Sequence, residues 1–144
     1  MPTRDATTRW KGGLQSGAGE VTLDSSNAGQ FPVSFPTRAG SPDGQTSPEE
    51  LIAAAHSSCL AMNLSGVLGS EGLTADTIDV SAEVTLGQDD GGFAITGIAI
   101  ALRAKVAGVD AEKFQQLAQK AEQTCPVSKA LAGTNITLDA ALDS

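Results

Sequence analysis

Aromatic side chains are scarce in this sequence: four Phe, one Trp and no Tyr, 3% of the chain. That speaks against a stacking platform for nucleobases or an aromatic sugar-binding groove. Basic residues are outnumbered, nine Lys and Arg against seventeen Asp and Glu, for a net charge of −8 and a pI near 4.4. A nucleic-acid binder carries a basic footprint, and this chain has none. Two cysteines and one histidine are too few for a disulfide-dense secreted scaffold or a four-cysteine zinc site. No apolar run follows Met1-Pro2-Thr3-Arg4-Asp5, so no signal peptide is expected. The most apolar stretch, Leu51 to Leu68, is broken by His56, Ser57, Ser58, Asn63 and Ser65. It is expected to fall short of the ~20 apolar residues of a membrane span. The expectation is a soluble, cytoplasmic protein, whose thiols are then catalytic or inert rather than a structural staple.

What remains is ordinary globular material. The 144 residues are 40% hydrophobic, one domain's worth over 1–144. Strands are expected at Thr7 to Lys11, at Glu20 to Asp24 and at Phe31, Val33 and Phe35, which alternate with period two. Pro32 and Pro36 place the last of these at a sheet edge. Thr37 to Thr46 reads as loop. Ser47, Pro48 and Glu50 then form a helix start: an N-cap, a first-turn proline and the glutamate of a capping box. The helix should run to about Leu68, with Gly69 as its stop. Because it is apolar almost all round, other elements or a second subunit must cover it.

Ile78, Val80, Ala82, Val84 and Leu86 alternate with polar residues, and the turn Asp89-Asp90-Gly91-Gly92 follows. A strand from Phe93 to about Val106 completes a β-hairpin. Its apolar phase changes at Gly97, through either a bulge or burial on both faces. Asp110 caps an amphipathic helix that Pro126 ends near Thr124. A short helix from Pro126 to Leu131 and a strand from Ile136 to Leu142 close the chain. The fold class is α+β, largely antiparallel sheets around a long buried helix.

Several side chains could carry chemistry. Cys59 sits near the middle of the core helix, where a free thiol is either inert and buried or needs a cation or donor to become a thiolate. Cys125 precedes Pro126 and can cap the next helix, where free amides favour a thiolate; the alternative is an incidental thiol at a helix break. Arg38 lies between strand and helix, where an arginine is ordinarily solvated. Glu50 is occupied by capping, which leaves Glu49 for another partner. His56, three residues before Cys59, is either a satisfied core histidine or one half of a Cys-His pair. A zinc site from Cys59, Cys125 and His56 has only that i, i+3 spacing behind it.

The segment Thr46-Ser47-Pro48-Glu49-Glu50-Leu51-Ile52-Ala53-Ala54-Ala55-His56-Ser57-Ser58-Cys59 resembles the central-helix motif of the OsmC/Ohr family, the osmotically inducible and organic-hydroperoxide-resistance proteins. Cys125-Pro126-Val127-Ser128 resembles that family's second cysteine motif. Gly92 to Thr96 and Asn135 to Asp139 are also similar to it. His56 and Phe35-Pro36-Thr37-Arg38 resemble the OsmC branch. The Ohr branch places its active-site Arg in an earlier Gly-rich loop, and no Arg directly follows Gly12-Gly13. The resemblance implies an OsmC-like fold in an intertwined homodimer with active sites at the interface. It implies a cysteine-based peroxidase acting on organic hydroperoxides, and more weakly on hydrogen peroxide, in oxidative or osmotic stress defence. Neither metal nor flavin is implied. Cys59 would be the peroxidatic thiol, Cys125 the resolving thiol, and Arg38 with Glu49 the pair that activates Cys59. The reductant would be a dithiol such as a lipoylated protein. No catalytic role is carried to His56, which stands where the Ohr branch usually has Tyr.

Glu49 and Cys59 stand ten positions apart, roughly 15 Å along a straight helix. Glu49 is therefore expected to serve Cys59 of a partner subunit, through antiparallel packing of two Ala-rich helices. The competing readings are a small-molecule-binding or stress-structural protein with inert thiols, and a redox sensor that passes oxidation to a partner.

Overall fold

The computed structural model describes residues 1–143, which fall into two compact units, one from Met1 to Leu51 and one from Ile52 onward. In the first unit β1 (Thr7–Lys11), β2 (Ala18–Thr22) and β3 (Gln30–Val33) form an antiparallel meander in the order β1-β2-β3. Pro32 lies in an edge strand, as its missing N–H requires.

The expected third strand ends early. Phe35 is helical: α1 (Phe35–Ala39) starts at Ser34, whose hydroxyl accepts from the Thr37 amide, with a proline in its first turn. Arg38 therefore sits in the last turn of a short helix rather than in a loop. Alternation over Phe31, Val33 and Phe35 could not reveal this, because the Ser34 cap and Pro36 override it locally.

The long helix α2 runs from Pro48 to Ser70. The Ser47 hydroxyl accepts from the Glu50 amide at 3.1 Å, the first half of the expected capping box. The second half is replaced, since the Glu50 carboxylate instead accepts from the Thr46 hydroxyl at 2.6 Å. Gly69 does not stop the helix. Gly72 does, at φ +73°. The Leu73 amide reaches the Leu68 carbonyl at 2.9 Å and the Gly72 amide reaches Gly69 at 3.0 Å, which is the Schellman pattern. By length and composition α2 is apolar enough to cross a bilayer, against the sequence expectation; its few polar interruptions do not offset its alanines and leucines.

In the second unit β4 (Ala75–Asp89) pairs antiparallel with β5 (Gly92–Val106), and β5 pairs with β6 (Ile136–Leu142). That last pairing is parallel, so this sheet is mixed. Between β5 and β6 the chain crosses over through α3 (Ala111–Thr124) and α4 (Pro126–Ala130); a parallel neighbour requires such a connection. Asp110 caps α3 by accepting from the Lys113 amide at 2.8 Å. The phase change in β5 is a bulge. Thr85 pairs with Gly97 and Leu86 with Ile95, which leaves Thr96 as the extra residue. Beyond it Ile98, Ile100, Leu102, Ala104 and Val106 are all buried. They join Leu60, Leu64 and Leu68 of α2 and Phe114, Leu117 and Ala121 of α3 in one core.

Candidate active site

Arg38 and Glu49 meet within the first unit. The guanidinium Nε donates to Oε1 at 2.9 Å and Nη2 to Oε2 at 2.8 Å. Two parallel bonds of this kind fix the plane of the guanidinium as well as its position. Glu49 is buried, 6% exposed, whereas the Arg38 side chain is one-third exposed. One face of the cation is thus committed to the carboxylate and the rest is open. The hydrogen bond to Glu49 raises the Arg38 pKa above its ordinary value, against some desolvation. Beside it lies an open depression of about 360 Å³, lined by Trp10, Leu14, Val33 and Phe35 as well as Arg38. A cation at the rim of an apolar hollow suits a small molecule with one polar end and one alkyl or aryl end.

The two thiols meet within the second unit. Both are free, Cys59 half-buried and Cys125 buried. Their sulfurs are 3.0 Å apart, with Cys125 donating to Cys59. A disulfide needs about 2.05 Å, so roughly another ångström of approach would join them. Ser58, Met62, Asn63 and Pro126 border the same opening as Cys59, a hollow of about 400 Å³. Cys125 lies at the junction of α3 and α4 as the N-cap of α4, where its thiol makes no capping hydrogen bond.

The two thiols are electrostatically unequal. Burial pushes Cys59 above the ordinary thiol range, and the neighbouring Cys125 adds to that. Burial also opposes ionisation of Cys125, but Cys59 and the amides and hydroxyl of Ser128 and Val127 together outweigh it and bring Cys125 below the ordinary range. Two thiols this close titrate as a pair, and within a single chain burial works against a thiolate at Cys59. The expectation that free amides at the α4 start favour a Cys125 thiolate agrees with the lowered Cys125 pKa.

His56 is fully buried, and its Nε2 lies 2.6 Å from the Ser128 hydroxyl. Burial lowers its pKa, partly offset by Glu122, so the ring is neutral. It does not bond Cys59, and a Cys-His nucleophilic pair is not formed here. Among the described residues no cluster of His, Cys, Asp and Glu could hold a metal.

Two contributors escaped the sequence reading. Asn63, which looked like a mere polar interruption, donates to the Ala121 carbonyl at 2.6 Å and to the Thr124 hydroxyl at 2.8 Å. It pins the last turn of α3 and with it the backbone leading into Cys125. Ser128 meets His56 and helps lower the Cys125 pKa; its position three residues after Cys125 was the available signal.

The OsmC-like family model matches residues 40–140, which include Glu49, Cys59 and Cys125. The chain belongs to the OsmC-like family. It is 45% identical to the peroxiredoxin OsmC of Escherichia coli K12 across 94% of this chain and 93% of that one. It is 35% identical to an organic hydroperoxide resistance protein of Xanthomonas axonopodis, covering 74% of this chain and 75% of that protein. A solved organic hydroperoxide resistance protein from Elizabethkingia anophelis superposes with a TM-score of 0.78 at 32% identity, over 99% of this chain and 98% of its own. The OsmC-like assignment agrees with the α+β architecture.

Proposed function

We propose that this OsmC-like chain is a thiol-dependent peroxidase that reduces organic hydroperoxides, and hydrogen peroxide more weakly. The observation that carries the reading is the 3.0 Å approach of two free thiols, one half-buried at an opening and one enclosed. The names of its relatives, a peroxiredoxin and hydroperoxide resistance proteins, support it.

The Cys59 thiolate attacks the terminal oxygen of the hydroperoxide. The O–O bond breaks, alkoxide takes a proton and leaves as alcohol, and Cys59 becomes a sulfenic acid. Cys125 then attacks the sulfenic sulfur, closing the disulfide and releasing water. A dithiol such as a lipoylated protein reopens it by exchange, and a cytoplasmic setting supplies such reductants.

Among the described residues no cation enters the shift of the Cys59 thiol, which burial and Cys125 push up. Arg38 is the group suited to hold it as a thiolate, lowering the thiol pKa and polarising the peroxide while Glu49 orients it. Ten positions of α2 separate Glu49 from Cys59, roughly 15 Å of helical rise. The reading therefore includes a homodimer in which Arg38 and Glu49 of one subunit serve Cys59 of the other. The exposed Ala54, Ala55, Ser58 and Met62 of α2 offer the close-packing face such a dimer needs.

Steady-state kinetics test this with cumene hydroperoxide, tert-butyl hydroperoxide and hydrogen peroxide, each with dihydrolipoamide or thioredoxin as reductant. Peroxide should be consumed faster for the organic substrates, and Cys59→Ser should abolish turnover. Full activity in Cys59→Ser would overturn the mechanism in favour of inert thiols.

A further inference from the structure

Two buried polar residues, His56 and Ser128, accompany the buried thiol Cys125. His56 is 0% exposed, Ser128 4% and Cys125 0%. His56 comes from α2, Ser128 from α4, and Cys125 from the joint between α3 and α4. His56 Nε2 and Ser128 Oγ are 2.6 Å apart. His56 Nδ1 is buried without a hydrogen-bond partner. That orphan decides the tautomer. A buried N–H without a partner is rarer and costlier than an unused lone pair, so the ring proton is assigned to Nε2 and Nδ1 is left as the bare acceptor. His56 then donates to the Ser128 oxygen. Ser128 is the third residue of α4, one turn on from the N-cap Cys125, and its hydroxyl is among the groups that draw the Cys125 thiol below its ordinary range; with its oxygen engaged by His56, its one proton is left for Cys125.

From this arrangement we propose that His56 and Ser128 are positioning residues of the resolving half-reaction, a two-link donor chain that receives the Cys125 thiolate. The inference rests on the peroxidase reading above and assigns work to groups that reading leaves unused.

The atoms balance as follows. With Arg38 of the other subunit holding the charge on Cys59, as the peroxidase reading has it, Cys125 keeps the shared proton and donates it toward Cys59. When the Cys59 thiolate takes the terminal hydroxyl of the hydroperoxide, the departing alkoxide takes the Cys125 proton, giving alcohol, a Cys59 sulfenic acid and a Cys125 thiolate. The thiolate has now lost its hydrogen-bond acceptor on Cys59 and needs a donor in a buried place. The Ser128 hydroxyl supplies it, and His56 keeps that hydroxyl from turning its proton elsewhere. The Cys125 sulfur then attacks the Cys59 sulfur, the S–O bond breaks, and hydroxide leaves and is protonated by solvent to water.

The chain bears chiefly on the second chemical step, in which the Cys125 thiolate is the nucleophile. Pre-reduced protein is mixed with one equivalent of tert-butyl hydroperoxide, quenched with iodoacetamide over time, and the Cys59 sulfenic acid and the Cys59–Cys125 disulfide are followed by mass spectrometry. Ser128→Ala and His56→Leu should form the sulfenic acid within about twofold of the wild-type rate. Both should close the disulfide tenfold or more slowly and build up Cys59 sulfinic acid under excess peroxide. His56→Gln, which keeps a donor nitrogen at the Nε2 position, should restore closure to within about threefold. That rescue would not follow from a merely space-filling role. Ser128→Ala removes one atom and keeps the test open where His56→Leu fails to fold. Closure at the wild-type rate in Ser128→Ala would overturn the proposal. Cys125→Ser, run alongside, separates the two readings. If it cycles without over-oxidation, Cys125 does not resolve and the peroxidase reading loses its second thiol. If it stalls at the sulfenic acid while Ser128→Ala closes normally, the donor chain alone is wrong.

Discussion

Arg38 is the residue whose geometry is hardest to imitate. Its two bonds to Glu49 use the fork of the guanidinium, and a lysine offers a point charge on a flexible stem instead. Arg38→Lys should therefore lose about as much peroxidase activity as Arg38→Ala, on the order of 10²-fold in kcat/KM, with unchanged circular dichroism. Arg38→Ala should also move the alkylation midpoint of Cys59 to higher pH, because burial and Cys125 already push that thiol up and the variant removes the cation proposed to bring it down. An iodoacetamide rate profile against pH reads this directly. His56 gives a second pH dependence, in stability. Burial depresses its pKa in the fold despite the opposing Glu122 charge, so on acidification the unfolded chain takes up a proton near pH 6.5 before the folded one does. Stability is full above that point and is lost as pH falls through the folded value. The Tm of the wild type should drop more between pH 7 and 5 than that of His56→Gln, which has no ring to protonate.

At the scale of elements, the end of α2 and the end of α3 decide where the thiols stand. Gly72 closes α2 at φ +73°, with open space where a Cβ would project. The cost of Gly72→Ala is then conformational rather than steric, about 1–2 kcal/mol, and a shift of the urea midpoint measures it. Gly72→Asn should cost less, since Asn tolerates the left-handed region. Asn63 joins the two helices by donating to the Ala121 carbonyl and the Thr124 hydroxyl. Asn63→Ala should destabilise by about 1–3 kcal/mol and, by loosening the approach to Cys125, slow disulfide closure more than sulfenic acid formation. Both ends were only partly legible in the sequence. Asp110 and Pro126 mark α3 through local backbone chemistry, and the structure keeps both marks. Gly69 looked like the stop of α2, but a glycine inside a helix has no need to end it when the chain can continue to Gly72 and close a complete Schellman turn.

For the whole molecule the exposed small face of α2 is the decisive feature. Ala54, Ala55 and Ser58 lie open on a helix whose other side is packed into the core, and small residues let a second backbone come close. Ala54→Arg should break the proposed dimer, halving the mass measured by light scattering. It should cut activity to the level of Arg38→Ala, because Cys59 loses the Arg38 of the other subunit. A monomer with full activity would remove the shared-site arrangement. The strand order was also decided at this scale. Ile136, Leu138, Ala140 and Leu142 announce a strand by their alternation, but alternation has no direction, and the parallel pairing with β5 comes from the α3–α4 crossover.

Local chemistry fixed by neighbouring residues was already settled along the chain: the Ser47 and Asp110 caps, the β4–β5 turn, the stop at Pro126, the buried face of α3, and the family motif around Cys59 and Cys125. These depend on φ, ψ and periodicity within a few residues. The tertiary structure decided what depends on long separations: the 3.0 Å approach of the two sulfurs, the fork between Arg38 and Glu49, and the seating of His56 on Ser128. Each is a pairing of polar groups brought into low dielectric by the collapse of apolar ones. No periodicity encodes which polar group will find which, because that is set by how the surrounding core closes.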